Sequence, residues 1–120
     1  MIKKRKKLTE PEVKYYMRQL MEVLVYLREH KIIHRDIKTC NIMLDKSMNL
    51  KLGDFGLATY ENNPERKQRY SVCGTPNYMA PEIIKRKKND SVHYSYEIDI
   101  WSSGIVAYNL LFGILPFHDK

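Results

Sequence analysis

The sequence predicts an α+β fold that is mainly helical, with short β-strands near its middle. Residues 9–30 carry apolar side chains at helical spacing, and residues 96–113 form a second, more uniformly apolar helix candidate. Between these segments, short apolar runs alternate with polar and turn-forming residues, which is typical of small strands joined by loops. With 120 residues, of which 43% are hydrophobic, the chain can bury a core.

The first helix has a well-defined predicted start at Thr9. Thr9 and Glu12 have the spacing of a capping box, in which each side chain satisfies a free backbone amide of the first turn. Pro11 lies in that turn, where its missing N–H is tolerated. Leu8 and Val13 occupy the positions of a hydrophobic staple. The predicted buried stripe consists of Val13, Tyr16, Met17, Leu20, Leu24 and Leu27.

The middle of the chain contains three candidate strands. Short apolar runs lie at residues 32–33, 42–44 and 50–52, and each is too short for a helix. Residues 59–82 have no periodicity and contain several Pro, Gly and Asn residues, so they are predicted to form one long loop. Long ordered loops are commonly functional, which makes this segment a candidate for a regulatory or binding role.

The second helix candidate continues into the most apolar stretch of the chain. Residues 100–117 contain no Asp, Glu, Lys or Arg over 18 positions, the lower limit for a membrane-spanning helix. The stretch nevertheless includes Ser102, Ser103, Asn109 and Pro116, and basic residues do not flank it. These features favour the buried central helix of a soluble domain over a membrane span.

The chain is basic, with 21 Lys and Arg residues against 14 Asp and Glu residues and a net charge of +7. The charge is concentrated in residues 3–7 and 85–88. Such runs fit nucleic acid, an anionic membrane surface, or acidic or phosphorylated partners, although a solvated face is the ordinary explanation. Residues 3–7 could also act as a nuclear-import patch. No zinc-finger, basic-zipper or RNA-binding strand motif accompanies the charge.

The cysteines and the N-terminal residues indicate an intracellular protein. Cys40 and Cys73 are too few for a disulfide framework and do not form a CxxC metal motif, so both are predicted to be reduced thiols. The basic start is not followed by the apolar stretch that a signal peptide needs.

Three short motifs follow one another in the middle of the chain. Residues 34–41 read His-Arg-Asp-Ile-Lys-Thr-Cys-Asn, residues 54–56 read Asp-Phe-Gly, and residues 80–82 read Ala-Pro-Glu. In this order and spacing they resemble the signature set of eukaryotic protein kinases. The resemblance implies a protein-kinase-like C-lobe fragment over residues 1–120, from before helix E to just after helix F, with the N-lobe and the later C-lobe helices absent.

The kinase resemblance implies the roles of the central polar residues. Asp36 would accept the proton of the substrate hydroxyl, and Lys38 would place a positive charge beside the transferred phosphoryl group. Asn41 and Asp54 would supply oxygen ligands to Mg²⁺. Lys38, Asn41, Met43 and Asp54 would together contact ATP. A Lys at position 38 resembles serine/threonine kinases, so ATP and Mg²⁺ are the implied cofactors and protein Ser or Thr the implied substrate.

Further residues resemble the supporting parts of such a site. His34 and Phe55 would belong to a stacked hydrophobic column, and Asp99 would accept backbone amides of the catalytic loop. The other supporting residues are Arg35, Gly56 and Glu82. The apolar floor under the adenine ring would consist of Ile42, Met43 and Leu44, with Val106 and Leu110 below it.

The segment from Asp54 to Glu82 resembles an activation segment. Ser71 lies where such segments are often phosphorylated, and Arg35 would pair with the phosphate and so order the segment. Gly74 and Thr75 resemble the substrate loop of serine/threonine kinases. Phosphorylation of Ser71 is therefore expected to regulate activity.

Among protein kinases, three segments resemble the polo-like kinases: residues 8–16, 54–59 and 73–82. The latter two are also similar to aurora-like and cyclic-nucleotide-dependent kinases, which remain alternatives. Residues 39–40 read Thr-Cys in place of the usual Leu-Gly-like pair, and the segment 86–96 looks lengthened. The polo-like resemblance implies a cell-cycle kinase of the cytoplasm or nucleus, including the centrosome or spindle.

The missing kinase parts give two functional hypotheses. The chain contains no Gly-rich phosphate loop and no strand Lys, so the 120 residues alone are expected to be catalytically inactive. The favoured hypothesis is a piece of an active kinase, and the alternative is a truncated, non-catalytic binding module. Partners are expected to be protein substrates and ATP, without nucleic acid or membrane, and the sequence does not specify an oligomeric state.

Overall fold

The structure is a computed structural model that describes residues 2–61, 76–85 and 95–118. Helices and short strands are mixed, which confirms the predicted α+β class. The elements in chain order are helices α1 (Ile2–Arg5) and α2 (Glu10–Glu29), strands β1 (Ile32–Ile33), β2 (Ile42–Leu44), β3 (Leu50–Leu52) and β4 (Thr59–Tyr60), and helices α3 (Pro81–Ile84) and α4 (Glu97–Phe112). Two 3₁₀ turns, Thr39–Asn41 and Pro76–Tyr78, complete the described chain.

Helix α2 begins at the predicted cap. The backbone N–H of Thr9 donates to Glu12 Oε2 over 2.8 Å, and the Thr9 hydroxyl donates to the same oxygen over 2.9 Å. Arg5 also binds this carboxylate with its guanidinium. The hydrogen bonds from Arg5 and Thr9 lower the pKa of Glu12 to about 2. The Glu12 carboxylate therefore completes the capping box that starts α2 and, through Arg5, also joins α1 to this helix.

The core lies between α2 and α4. Val13, Leu20 and Leu27 of the predicted stripe are buried on α2, while Met17 and Leu24 are half-buried at its margin. The main cluster comprises Leu8, Val13, Tyr16, Leu20, Ile37, Leu50, Tyr78, Ile105, Val106 and Leu110. The inclusion of Ile37 and Tyr78 means that the polar loops between the helices are anchored in this same core.

The first pair of strands was only partly predicted. Strand β1 pairs antiparallel with β4, with Ile33 opposite Thr59. Past β4, the Glu61 N–H donates to the Lys31 carbonyl over 2.8 Å, and the Tyr96 hydroxyl donates to Glu61 Oε2 over 2.9 Å. The expectation of one structureless loop over residues 59–82 was therefore wrong at both ends, where β4, a 3₁₀ turn and α3 form.

The second pair of strands is the hairpin β2–β3, in which Ile42 lies opposite Leu52. Its turn is organised by Asp45, whose Oδ1 accepts the backbone N–H groups of Ser47 and Asn49, each over 2.9 Å. The hydrogen bond from the Asn49 backbone is the largest of the effects that lower the pKa of Asp45. The hairpin therefore has a rigid, locally encoded turn on the side away from the loop 34–41.

Helix α4 has the predicted position but is not apolar on every side. Asp99, Ser102 and Ser103 are buried on it, whereas Ile100 and Phe112 are 57% and 58% exposed. No helix in the described ranges has both the length and the apolar character needed to cross a membrane.

Two glycines, one within α4 and one directly after it, provide a matched pair of substitutions with opposite expected signs. Gly113 ends the helix in the left-handed region at φ +74°, and a Cβ there would lie 2.5 Å from the Lys6 carbonyl oxygen. Gly104 lies within the helix, and its Cβ would meet nothing within 4 Å. We expect Gly113→Ala to lower the free energy of unfolding by at least ~1–2 kcal/mol and Gly104→Ala to raise it by ~0.5–1 kcal/mol. Urea unfolding of both variants checks this, and a shared sign would contradict it.

Candidate active site

The loop that contains residues 34–41 is attached to helix α4 through Asp99. The backbone N–H groups of His34 and Arg35 donate to Asp99 Oδ2 and Oδ1 over 2.8 and 3.0 Å. Asp99 is only 3% exposed. Burial raises the pKa of Asp99, and the two backbone donors oppose that rise. This is the contact that the kinase resemblance implies for Asp99, and it fixes the start of the loop on the core.

The imidazole of His34 connects this loop to the chain that follows β3. Its Nδ1 accepts the backbone N–H of Asp36 over 3.1 Å, so the ring proton lies on Nε2. Nε2 then donates to the Gly53 carbonyl over 2.9 Å. The ring is fully buried and packs edge-to-face on Phe55 at a centroid distance of 4.7 Å. His34 therefore sets the position of Asp36 relative to residues 53–55.

The carboxylate of Asp36 lies at the centre of a small polar cluster. The Asn41 side-chain amide donates to the Asp36 carbonyl over 2.7 Å and to Asp36 Oδ2 over 3.2 Å. Lys38 Nζ lies 3.6 Å from the same Oδ2. The side chains of Lys38 and Asp36 are 23% and 10% exposed, so solvent screens their ion pair only in part. A single loop thus presents a carboxylate, a cation and an amide together.

Asn41 and Asp54 can supply oxygen ligands to a cation. The Gly53 N–H donates to the Asn41 carbonyl over 2.8 Å, which brings the residue before Asp54 against the end of the loop. Because Asn41 Nδ2 is used by Asp36, its Oδ1 faces away from that contact and accepts no hydrogen bond from the described residues. Asp54 is exposed.

The oxygen atoms of Asn41 and Asp54 are of the kind that Mg²⁺ prefers. Amide and carboxylate oxygens are the ligands that Mg²⁺ prefers, and it usually takes few of them, together with substrate phosphates. Within the residues that the structure describes, no group of three or more His, Cys, Asp or Glu side chains could hold a metal ion. Asn41 and Asp54 would therefore share Mg²⁺ with a phosphate-bearing substrate.

Two residues of this region adopt left-handed backbone conformations that sequence reasoning did not predict. Arg35 has φ +69° and Asp54 has φ +53°. The Arg35 conformation is held by its backbone bond to Asp99 and by Nε, which donates to the Leu57 carbonyl over 2.6 Å. Asp54 Oδ1 accepts the Gly56 N–H over 3.2 Å. Such strain is common at functional sites, where the surrounding contacts maintain it.

The apolar floor predicted from residues 42–44 is divided between two faces of β2. Ile42 and Leu44 pack against the main cluster, whereas Met43 is 54% exposed on the opposite face. Successive residues of a strand point to opposite faces, yet all three residues line one cavity, so the apolar floor stays a prediction. The Met43 methyl group covers Gly53, where an added Cβ would lie 2.5 Å from it.

A cavity of about 620 Å³ lies on the core side of this hairpin. Its apolar lining includes Leu44, Leu50, Val106 and Leu110, the last two of which the resemblance places below the floor. Cys40 also lines it and is an exposed free thiol. Cys73 lies outside the described residues.

Four further site residues were predicted outside the loop 34–41 and the segment 53–56. Ser71, Gly74 and Thr75 lie outside the described residues. Glu82 is exposed on α3 and forms no ion pair with any residue of the described ranges.

The protein kinase domain family matches this chain over residues 1–120. The chain belongs to the protein kinase family. It is 46% identical over 120 residues to the cell cycle serine/threonine-protein kinase CDC5/MSD2 of Saccharomyces cerevisiae, covering 100% of this chain and 16% of that protein. It is 48% identical over 119 residues to the serine/threonine-protein kinase polo of Drosophila melanogaster, covering 98% of this chain and 19% of that protein.

A third kinase relative is the probable serine/threonine-protein kinase PLK of Dictyostelium discoideum, which is 50% identical over 115 residues, 96% of this chain and 11% of that protein. The resemblance to polo-like serine/threonine kinases is therefore confirmed. The chain spans less than a fifth of the length of these curated relatives.

Proposed function

We propose that the protein containing this chain is a polo-like serine/threonine kinase of the cell cycle, which transfers the γ-phosphate of ATP to Ser or Thr hydroxyls of proteins. The proposal rests on one observation: Lys38 and Asn41 both lie against Oδ2 of the Asp36 carboxylate. Its relatives include a cell cycle serine/threonine-protein kinase and the serine/threonine-protein kinase polo, which supports the choice of acceptor and of process.

Asp36 is the proposed base. Its carboxylate is held from behind by Asn41, and its backbone is held by His34, so the side chain keeps one position. A carboxylate in that position orients an incoming hydroxyl and accepts its proton. Lys38 lies beside the same oxygen, where its charge would stabilise the negative oxygens of the transferred phosphoryl group.

Asn41 and Asp54 are the proposed magnesium ligands, and Met43 is the proposed apolar contact for the nucleotide. When bound, Mg²⁺ neutralises charge on the phosphate oxygens. The hydrogen bond between Gly53 and Asn41 keeps the two ligand-bearing segments adjacent before any nucleotide binds. The Met43 side chain, which is exposed on β2, offers an apolar surface next to these two segments.

The proposal is tested with the full-length protein, Mg²⁺, radiolabelled ATP and three peptides that differ only in a Ser, Thr or Tyr acceptor. We expect label on the Ser and Thr peptides, little on the Tyr peptide, and none when EDTA removes Mg²⁺. Transfer to Tyr alone, or no transfer to any peptide by soluble and folded protein, would overturn the proposal.

A further inference from the structure

A hydrogen bond between two side-chain hydroxyls joins the candidate catalytic loop to the segment before α3. Thr39 Oγ1 lies 3.0 Å from the Tyr78 hydroxyl, and either group can donate. Thr39 begins the 3₁₀ turn that ends at Asn41, and Tyr78 ends the 3₁₀ turn that precedes α3. Tyr78 is 8% exposed and belongs to the main core cluster, so its hydroxyl has few alternative partners.

Helix α4 anchors these two segments at separate points. Asp99 holds the backbone of His34 and Arg35, and the Ser102 hydroxyl donates to the Tyr78 carbonyl over 2.7 Å. Neither anchor sets the distance between Thr39 and Tyr78 directly. The hydroxyl pair closes a triangle of contacts between the loop, the segment 76–78 and α4, and so restricts how one segment moves against the other.

The position of Thr39 within the loop makes this contact relevant to the reaction. Lys38 precedes it, and the turn that it begins carries Asn41. Positions 39–40 are where this sequence departs from the Leu-Gly-like pair of the kinases that it resembles. An apolar side chain at position 39 could not bind the Tyr78 hydroxyl, so the contact depends on this departure.

We propose that Thr39 is a positioning residue that sets the catalytic loop against the acceptor-binding side of the site through Tyr78. The inference rests on the proposed kinase function. On the nucleotide side, Asn41 has an anchor of its own, because the Gly53 N–H donates to its carbonyl, and the β2–β3 hairpin follows it directly. The segment 76–78 instead continues from residues 74–75, which resemble a substrate loop. Loss of the hydroxyl pair should therefore weaken use of the protein acceptor and leave ATP binding unchanged.

The test uses full-length protein carrying Thr39→Val, Thr39→Ser, Tyr78→Phe or the Thr39→Val/Tyr78→Phe pair. Thr39→Val removes the hydroxyl at nearly constant volume, and Thr39→Ser retains it. We expect Thr39→Val and Tyr78→Phe each to lower kcat/KM for a Ser peptide about threefold to tenfold, the equivalent of one neutral hydrogen bond. The loss should appear as a higher KM for the peptide, with the KM for ATP unchanged. The double variant should lose no more kcat/KM than either single variant, and Thr39→Ser should keep the kcat/KM of the parent protein.

Tyr16→Phe is the matched control. Tyr16 is also 8% exposed in the main cluster, and its hydroxyl has no hydrogen bond to any described residue. A purely structural role for Thr39 would lower the amount of active enzyme and leave both KM values at the parent's level. Unchanged KM values, additive losses in the double variant, or an equal loss in Tyr16→Phe would each overturn the inference. The proposed function would still stand if the parent protein is active on Ser peptides. A parent that transfers no phosphate overturns both.

Discussion

Asp36→Asn is expected to lower kcat for phosphoryl transfer by about 10²–10⁴-fold, the usual contribution of a positioned general base. Asn has the size of Asp and retains the backbone contacts to His34 and Asn41, so the loop should keep its conformation. The substitution removes the oxygen anion beside Lys38 and with it the acceptor for the substrate proton. The expected loss is therefore chemical and leaves the fold intact.

Steady-state kinetics of the full-length protein measures the loss of kcat, and urea unfolding of the same preparations shows whether the fold stays intact. Glu22→Gln is the matched control, because it makes the same change from carboxylate to amide on the exposed surface of α2. We expect the control to retain full activity. An Asp36→Asn protein that keeps more than about a tenth of the parent kcat, when a base normally contributes at least about 10²-fold, would contradict the role of Asp36.

Asp99→Ala is expected to have the largest effect on stability. The substitution removes two charge-assisted hydrogen bonds, each worth about 1.5–3 kcal/mol, and leaves the amides of His34 and Arg35 without acceptors. We therefore expect a loss of about 3–6 kcal/mol in the free energy that holds the loop to α4. Because Arg35 is held in a left-handed conformation by this contact, the loop should also relax from its present conformation.

Hydrogen exchange at the His34 and Arg35 amides reports this loss locally. We expect their protection to fall far more than that of the α2 amides, and activity to fall with it. Glu97→Ala, which removes an exposed carboxylate from the first turn of the same helix, should leave both amides protected. Unchanged protection in Asp99→Ala would show that another contact fixes the loop.

The parts of the fold that the sequence predicts well are those with local causes. Helix α2 begins at Thr9 because the residues of its capping box are three positions apart and act within one turn. Asp36, Lys38 and Asn41 also come together for a local reason, since they lie within six consecutive residues. The kinase resemblance then implied the contact of Asp99 with this loop, 64 and 65 residues away.

The parts that the sequence does not predict depend on distant partners. Strand β4 has two residues and no pattern of its own, and it exists because β1 lies beside it. The left-handed conformations of Arg35 and Asp54 are unusual for residues with a Cβ. Distant hydrogen bonds to Asp99 and Leu57 hold Arg35, whereas Asp54 accepts a local hydrogen bond from Gly56. The Thr39–Tyr78 contact likewise has no sequence signal beyond the unusual residue at position 39.

The most direct test of this account is a crystal structure of the full-length protein with Mg²⁺, a non-hydrolysable ATP analogue and a Ser peptide. We expect Mg²⁺ at about 2.0–2.1 Å from oxygens of Asn41 and Asp54. We also expect the Asp36 carboxylate within about 2.6–3.2 Å of the peptide hydroxyl. Mg²⁺ bound by other residues, or a peptide hydroxyl held away from Asp36, would contradict the assignment of this loop as the site of phosphoryl transfer.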